Sequence, residues 1–205
     1  MCLIVHKPAG RHLPPSLIDS AAAFNPHGAG LMVLPANAPA EIVRCEQTSA
    51  AVVRAWAAAH RDEECIFHFR YRTRGAVDLE NTHPLRVTDD LFLFHNGKVP
   101  VDLHAAGRSD TWHLVQDLLA PVLTRRPEML RDPVFQRTLE AAIGPNNRLV
   151  LVDTRRRYVH IVNRDTGLER DGLWLSNSRW FDARQLGWLV SCTTMPLAAN
   201  VAFLS

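Results

Sequence analysis

The sequence predicts an α+β protein in which layers of antiparallel sheet are covered by helices. Three observations predict it. The 205 residues are 47% hydrophobic and 21% charged, a globular composition with enough apolar side chain for a sizeable core. Strand-like runs come in pairs beside pairs of helices, without the regular alternation of βαβ units. Repeats, low-complexity blocks and linker-like composition breaks are missing from the sequence, so residues 2–205 read as a single domain.

The elements follow in order. Residues 2–6 read as an N-terminal strand, and 30–34 as a second short apolar run. Pro14-Pro15 and residues 35–39 read as turns. Residues 49–60 fit a helix capped by Thr48 or Ser49, with Val52, Trp56 and Ala59 on one face. Residues 65–71 fit a strand rich in aromatics, and 91–95 another, ending in the tight-turn pair Asn96-Gly97. Ser109 caps a helix that runs to about Leu119 and stops at Pro121. Asp132-Pro133 opens a helix that ends near Ile143, before Gly144. Residues 149–152 and 158–162 form a hairpin across a basic turn at 154–157, read as solvated, and Trp174-Leu175 lies on one more strand. A short helix over 182–189 and a strand over 201–204 complete the chain.

Charge excludes several function classes. Lysine plus arginine count 23 and aspartate plus glutamate 21, a formal +2, too balanced for nucleic acid or an anionic membrane surface. Cys2, Cys45, Cys65 and Cys192 lie far apart without a CxxC, so reduced thiols and a cytoplasmic location are expected. Residues 20–40 and 186–205 carry no charged side chain, but proline, asparagine and glycine or threonine interrupt both. They read as buried strands and loops, not membrane spans. The apolar run at Leu3-Ile4-Val5 ends at His6-Lys7, too short for a signal-peptide core.

Position 2 is the first candidate for chemistry. Cysteine is small enough for Met1 to be removed, which would leave a residue carrying both a thiol and a free α-amine. Their reference pKa values are about 8.5 and about 7.7–8.0, so the amine can accept the proton of its own side chain. Four further segments carry convergent polar residues. They are Asn25-Pro26-His27-Gly28, His68-Phe69-Arg70-Tyr71-Arg72-Thr73-Arg74-Gly75, Glu80-Asn81-Thr82-His83-Pro84 and Leu93-Phe94-His95-Asn96-Gly97. Ser109-Asp110-Thr111 and Trp174-Leu175-Ser176-Asn177 follow.

In this order and spacing behind Cys2, the set resembles the class II glutamine amidotransferases, which are N-terminal-nucleophile hydrolases. The resemblance covers about residues 2–180 and is greatest to small stand-alone members. It implies a four-layer α/β/β/α sandwich of two antiparallel sheets. It also implies roles: Cys2 as nucleophile, Asn96 and Gly97 as the oxyanion hole, Arg70 and Thr73 on the α-carboxylate of glutamine, and Asp110 on its α-ammonium. The implied partners are L-glutamine or a related small amide and a separate ammonia-acceptor enzyme; neither cofactor nor metal is implied. The oligomeric state is open, a homo-oligomer included. Three positions depart from the family's pattern. Arg72 replaces a small residue, Arg74 a common histidine and His27 a common aspartate, which leaves the amide open, a γ-glutamyl conjugate among the choices.

Taken singly, the same residues have plainer readings. Arg70 fits a structural ion pair, Asn96-Gly97 a hairpin turn and Ser109-Asp110 an N-cap with an acidic first turn. His68, His83 and His95 lack metal-ligand spacing and fit core or turn histidines. A non-catalytic binding module on the same fold is the rival from another class.

Overall fold

The computed structural model describes residues 2–178. Ten strands form two antiparallel sheets. The first sheet has the order β3-β2-β4-β1-β10-β9, built from β1 (Leu3–Lys7), β2 (Ala29–Leu34), β3 (Glu41–Cys45), β4 (Glu64–Phe69), β9 (Leu168–Arg170) and β10 (Leu173–Leu175). The second has the order β5-β6-β7-β8, from β5 (Leu85–Arg86), β6 (Leu91–Asn96), β7 (Arg148–Asp153) and β8 (Tyr158–Val162).

The period-two alternation of each strand divides its side chains between two cores. Ile4, Met32, Leu34 and Ile66 of the first sheet meet Phe94, Val150, Val152 and Ile161 of the second, with Trp174 among them. Leu3, Val5, Leu31, Val33, Phe67 and Phe69 point the other way, under α1 (Pro15–Phe24) and α2 (Ala50–Ala59). On the far side Leu93, Leu149 and Leu151 lie under Leu114, Leu119, Leu123, Leu139 and Ile143. Leu114 and Leu119 belong to a π-helical turn (Leu114–Leu119) that continues α3 (Asp110–His113), Leu123 to α4 (Ala120–Arg125), and Leu139 and Ile143 to α5 (Pro133–Ile143). The four-layer α/β/β/α sandwich implied by the resemblance is the architecture observed.

Several elements differ from the sequence reading. The Pro14-Pro15 turn is a helix start, with Pro14 as N-cap and Pro15 at N1, where proline's fixed φ and missing N–H are tolerated. Helix α2 begins at the expected cap, with Ser49 Oγ accepting from Val52 N–H. Its buried face, however, is Val53 with Trp56 and Ala57 rather than Val52, which is 40% exposed. Pro121 does not stop its helix. The preceding turn is wide, and the Ala120 N–H bonds to the Val115 carbonyl five residues back, so the chain is already off the α-register where proline removes a donor. The edge strands β3, β5 and β9 lacked a sequence signal: β3 is almost wholly exposed and β5 spans 2 residues. The basic turn is not merely solvated, because Arg157 donates to the Leu34 and Pro35 carbonyls at 2.9 and 2.6 Å. The helix over 182–189, the strand over 201–204, Trp180, Trp188 and Cys192 lie outside the described residues. Among the described residues no helix is long and apolar enough to cross a membrane.

Phe94, 0% exposed between the sheets, is the most direct test of this packing. Phe94→Ala is expected to destabilise the protein by about 3–5 kcal/mol, measured by urea unfolding; a loss below about 1 kcal/mol would contradict a close-packed inter-sheet layer.

Candidate active site

The site lies where four strand ends meet. Strand β1 is antiparallel to β4 and β10, with Leu3 opposite Phe69 and Val5 opposite Leu175. The residue before β1 therefore falls beside those following β4 and β10. Cys2 Sγ accepts from the Tyr71 N–H at 3.4 Å, and the Cys2 carbonyl accepts from Asn177 Nδ2 at 2.8 Å. Ser176 extends the β1–β10 pairing: its N–H donates to the Ile4 carbonyl, and its Oγ accepts from the Ile4 N–H, both at 2.9 Å. The same Oγ meets Asn96 Nδ2 at 2.8 Å, which joins the end of β6 in the second sheet to the first. Asn96 Oδ1 is buried without a hydrogen-bond partner.

Cys2, Arg70, Thr73, Gly97 and Asp110 line one cleft, together with Arg72, Arg74, His83 and His95. Asn96 is buried immediately behind Gly97. The cleft encloses only about 30 Å³, close to one water molecule's share of liquid volume. Surface cavities of about 490 and 600 Å³ are larger but are lined by none of these residues, so size does not locate the chemistry. Residues 71–74, Thr73 among them, are exposed and form the cleft's outer wall.

Two buried charges of opposite sign face the cleft. Arg70, 4% exposed, donates to the carbonyls of Ala76 at 2.8 Å and of His27 and Arg74 at 3.4 Å. Asp110, also 4% exposed, accepts from the N–H groups of Val99 at 2.9 Å and Thr111 at 3.1 Å. Neither has an ion-pair partner among the described residues, so the plainer reading of Arg70 as a structural ion pair does not apply. The N-cap reading of Ser109 does hold, since its Oγ accepts from Trp112 N–H at 3.2 Å; the cap sets Asp110 in the first helical turn. Asn81 fastens the two charged segments together. Its Nδ2 donates to Gly107 O at 2.9 Å and Ala76 O at 3.4 Å, while its Oδ1 accepts from Ser109 N–H at 2.8 Å.

Asn96-Gly97 is not a hairpin turn, because β6 pairs with β5 and β7 and the chain continues from Gly97 into the loop before α3. Gly97 has φ of +147°, and a Cβ there would stand 2.2 Å from Asn147 Oδ1. Only glycine meets both demands without displacing its neighbour.

Burial pushes the Cys2 thiol up; the Tyr71 backbone hydrogen bond and the Arg70 charge pull it back only in part. The thiol therefore needs a base to become a nucleophile. Behind the cleft three buried histidines form the floor. The His95 N–H donates to His83 Nδ1 at 3.3 Å, which makes that nitrogen an acceptor and places the proton of the 3.1 Å His68–His83 contact on His68 Nε2. His95 Nε2 donates to Asn147 Oδ1 at 2.9 Å, because Asn147 Nδ2 is engaged with the Ile143 carbonyl. His95 Nδ1 then accepts from the Thr111 hydroxyl at 2.7 Å. Burial, followed by the Arg70 charge, lowers His68 to about 3; burial also lowers His83 and His95, the latter opposed by Asp110. All three rings are neutral core histidines, as the sequence suggested. Ser176, Asn81 and Asn147 were missed as supporting residues. Ser176 and Asn81 lie within the quoted motifs, but their partners are remote in sequence.

The neutral histidine floor sets a pH dependence. His68 and His83 titrate near 6.5 when unfolded and far lower when folded, so their contribution to stability is complete above about pH 6.5 and declines as pH falls toward about 3. Each contributes a slope of up to about 1.4 kcal/mol per pH unit. Urea midpoints measured from pH 7 to 4 are expected to fall, and His68→Gln is expected to flatten the decline; a flat wild-type profile would contradict buried neutral rings.

No protein-family model matches the chain, and no curated protein matches it. Solved structures do. The glutamine phosphoribosylpyrophosphate amidotransferase from B. subtilis, a complex with ADP and GMP, is similar with a TM-score of 0.52 and 17% identity over 85% of this chain. The chain spans 41% of that protein's length. A glutamine aminotransferase class-II domain protein from Silicibacter pomeroyi gives a TM-score of 0.41 and 15% identity, covering 75% of this chain and 73% of that one. The first likeness shows a shared fold.

Proposed function

We propose that this chain is a class II glutamine amidotransferase-type amide hydrolase, with Cys2 as N-terminal nucleophile after removal of Met1. One observation carries the reading. A thiol shares a cleft with a buried guanidinium and a buried carboxylate, neither of them ion-paired among the described residues. Unpaired buried charges are costly, and a free α-amino acid brings the missing partner to each. Its α-carboxylate takes Arg70 through the two-pronged contact that guanidinium geometry favours, with Thr73 beside it, and its α-ammonium takes Asp110. The fold shared with a glutamine-dependent amidotransferase supports glutamine as that amino acid.

Cys2's own α-amine supplies the base that its raised thiol requires. The amine accepts the thiol proton while sulfur bonds to the side-chain amide carbon and the carbonyl electron pair moves to oxygen. When the tetrahedral adduct collapses, the C–N bond breaks and the same amine returns the proton to the departing ammonia. Water then attacks the γ-glutamyl thioester, the amine takes its proton, and glutamate leaves as the thiol re-forms. The ammonia is available to a separate acceptor enzyme.

The Gly97 N–H and the Asn96 side-chain amide stabilise the oxyanion. For this, Asn96 must offer Nδ2 to the substrate. A half-turn of the amide accomplishes it: Oδ1 accepts the Ser176 hydroxyl proton, and Nδ2 takes the place of the unpartnered oxygen. Ser176 is thus the positioning residue for the oxyanion donor. Arg72 and Arg74 beside Arg70 favour, as a second reading, a γ-glutamyl conjugate with additional negative charge.

Treatment with an electrophilic glutamine analogue, read by intact mass, is expected to give a chain lacking Met1 with one adduct on Cys2; retained Met1 and no adduct would favour a non-catalytic binding module. Cys2→Ala is expected to abolish ammonia release. Asn96→Ala is expected to lower kcat by about 100- to 1,000-fold, and Ser176→Ala by less, with KM nearly unchanged. Arg70→Ala and Asp110→Ala are expected to raise KM for glutamine by about 10- to 100-fold. A panel that includes γ-glutamyl conjugates decides between the two amides.

A further inference from the structure

A second group of side chains, on either side of Asp110 along the chain, has the composition of a metal site. His104, on the loop before α3, His113 at the end of α3 and Asp117 in the π-turn place one ligand atom each within 4.8 Å of one another. Asp117 Oδ2 lies 2.9 Å from His104 Nε2 and 3.5 Å from His113 Nδ1. Ligands about 2.0–2.1 Å from a tetrahedral zinc stand about 3.3 Å apart; the His104–Asp117 hydrogen bond at 2.9 Å and the His113–Asp117 separation of 3.5 Å bracket that edge.

Burial supplies an independent observation. The His113 side chain is 0% exposed, and neither ring nitrogen has a hydrogen-bond partner. A buried polar group in that condition is disfavoured. A cation at the group would engage one of the nitrogens, its Nδ1 being the one turned toward Asp117. The side chains of His104 and Asp117 are 60% and 47% exposed, which gives an ion a path from solvent and leaves room for water as a fourth ligand. Two imidazoles and one carboxylate suit zinc among the abundant divalent ions; calcium and magnesium prefer all-oxygen sets.

We propose that His104, His113 and Asp117 bind Zn²⁺, which fastens the loop between β6 and α3 to the helix carrying Asp110. That loop is bounded by Gly97 and Asp110, the two cleft residues it separates. The site uses none of the residues assigned to glutamine, so it stands or falls independently of that assignment. The sequence reading expects no metal and weighs only His68, His83 and His95 as ligands, not this group. The i, i+4 pair His113–Asp117 carried the available signal, but His104 joins it only through the loop.

The test is Zn²⁺ content of the full chain, stripped with chelator, reloaded with Zn²⁺ and dialysed. Wild type is expected to retain about one ion per chain. His104→Ala and Asp117→Asn alter exposed side chains, so folding is preserved and checked by circular dichroism. Each is expected to weaken Zn²⁺ binding by at least about 10- to 100-fold, since even groups behind the ligands have effects of that size. Co²⁺ in place of Zn²⁺ is expected to give the visible bands of a tetrahedral nitrogen–oxygen site without thiolate charge transfer, which excludes the cysteines as ligands. Wild type retaining no Zn²⁺, the two variants binding as wild type does, or a thiolate spectrum would each overturn the proposal.

Discussion

The position of β1 is the constraint on which the rest of the site depends. This strand of 5 residues is hydrogen-bonded on both edges, to β4 and to β10, and sits in the interior of a 6-stranded sheet. Leu3 and Val5 are held under α1 and α2, while Ile4 is held between the sheets. A slip by one residue would exchange these sets and move Cys2 away from the ends of its neighbours. With both edges and both faces engaged, Cys2 has little freedom. The same pairings bring Arg70 and Ser176 to it, and Ser176 reaches across to Asn96 in the other sheet.

Electrostatics builds on that frame. Arg70 and Asp110 are kept buried by backbone groups, which satisfy hydrogen bonds without neutralising charge. Neutral histidines beneath them avoid adding a third charge to the low-dielectric interior. The buried Asn81 holds the segments in register, with both ends of its amide engaged. The arrangement leaves two charges of opposite sign, without ion-pair partners among the described residues, facing one narrow cleft.

The helix beginning at Asp110 serves both groups of residues. Its capped first turn aims the carboxylate, and its wide second turn carries Asp117 beside His113. The same departure from α-geometry lets the helix continue through Pro121, where the sequence would end it.

Local interactions made much of this readable in the amino-acid order. The caps Ser49, Ser109 and Asp132 act within their own helices, so short spacing discloses them. Continuous apolar runs in β1, β4, β6 and β7 report burial on both faces, and Cys2, Arg70, Asn96, Gly97 and Asp110 stand in motifs whose order suggested their association. Edge strands with exposed side chains gave no such run, and a proline pair concealed α1. Tertiary structure alone decided which partners the buried polar atoms have: Ser176 with Asn96 across 80 positions, Asn81 with Ser109 across 28, and His104 with His113 and Asp117 through a loop. Hydrogen-bond satisfaction depends on what lies within about 3 Å in space. Separation along the chain carries no record of that distance until the sheets have paired.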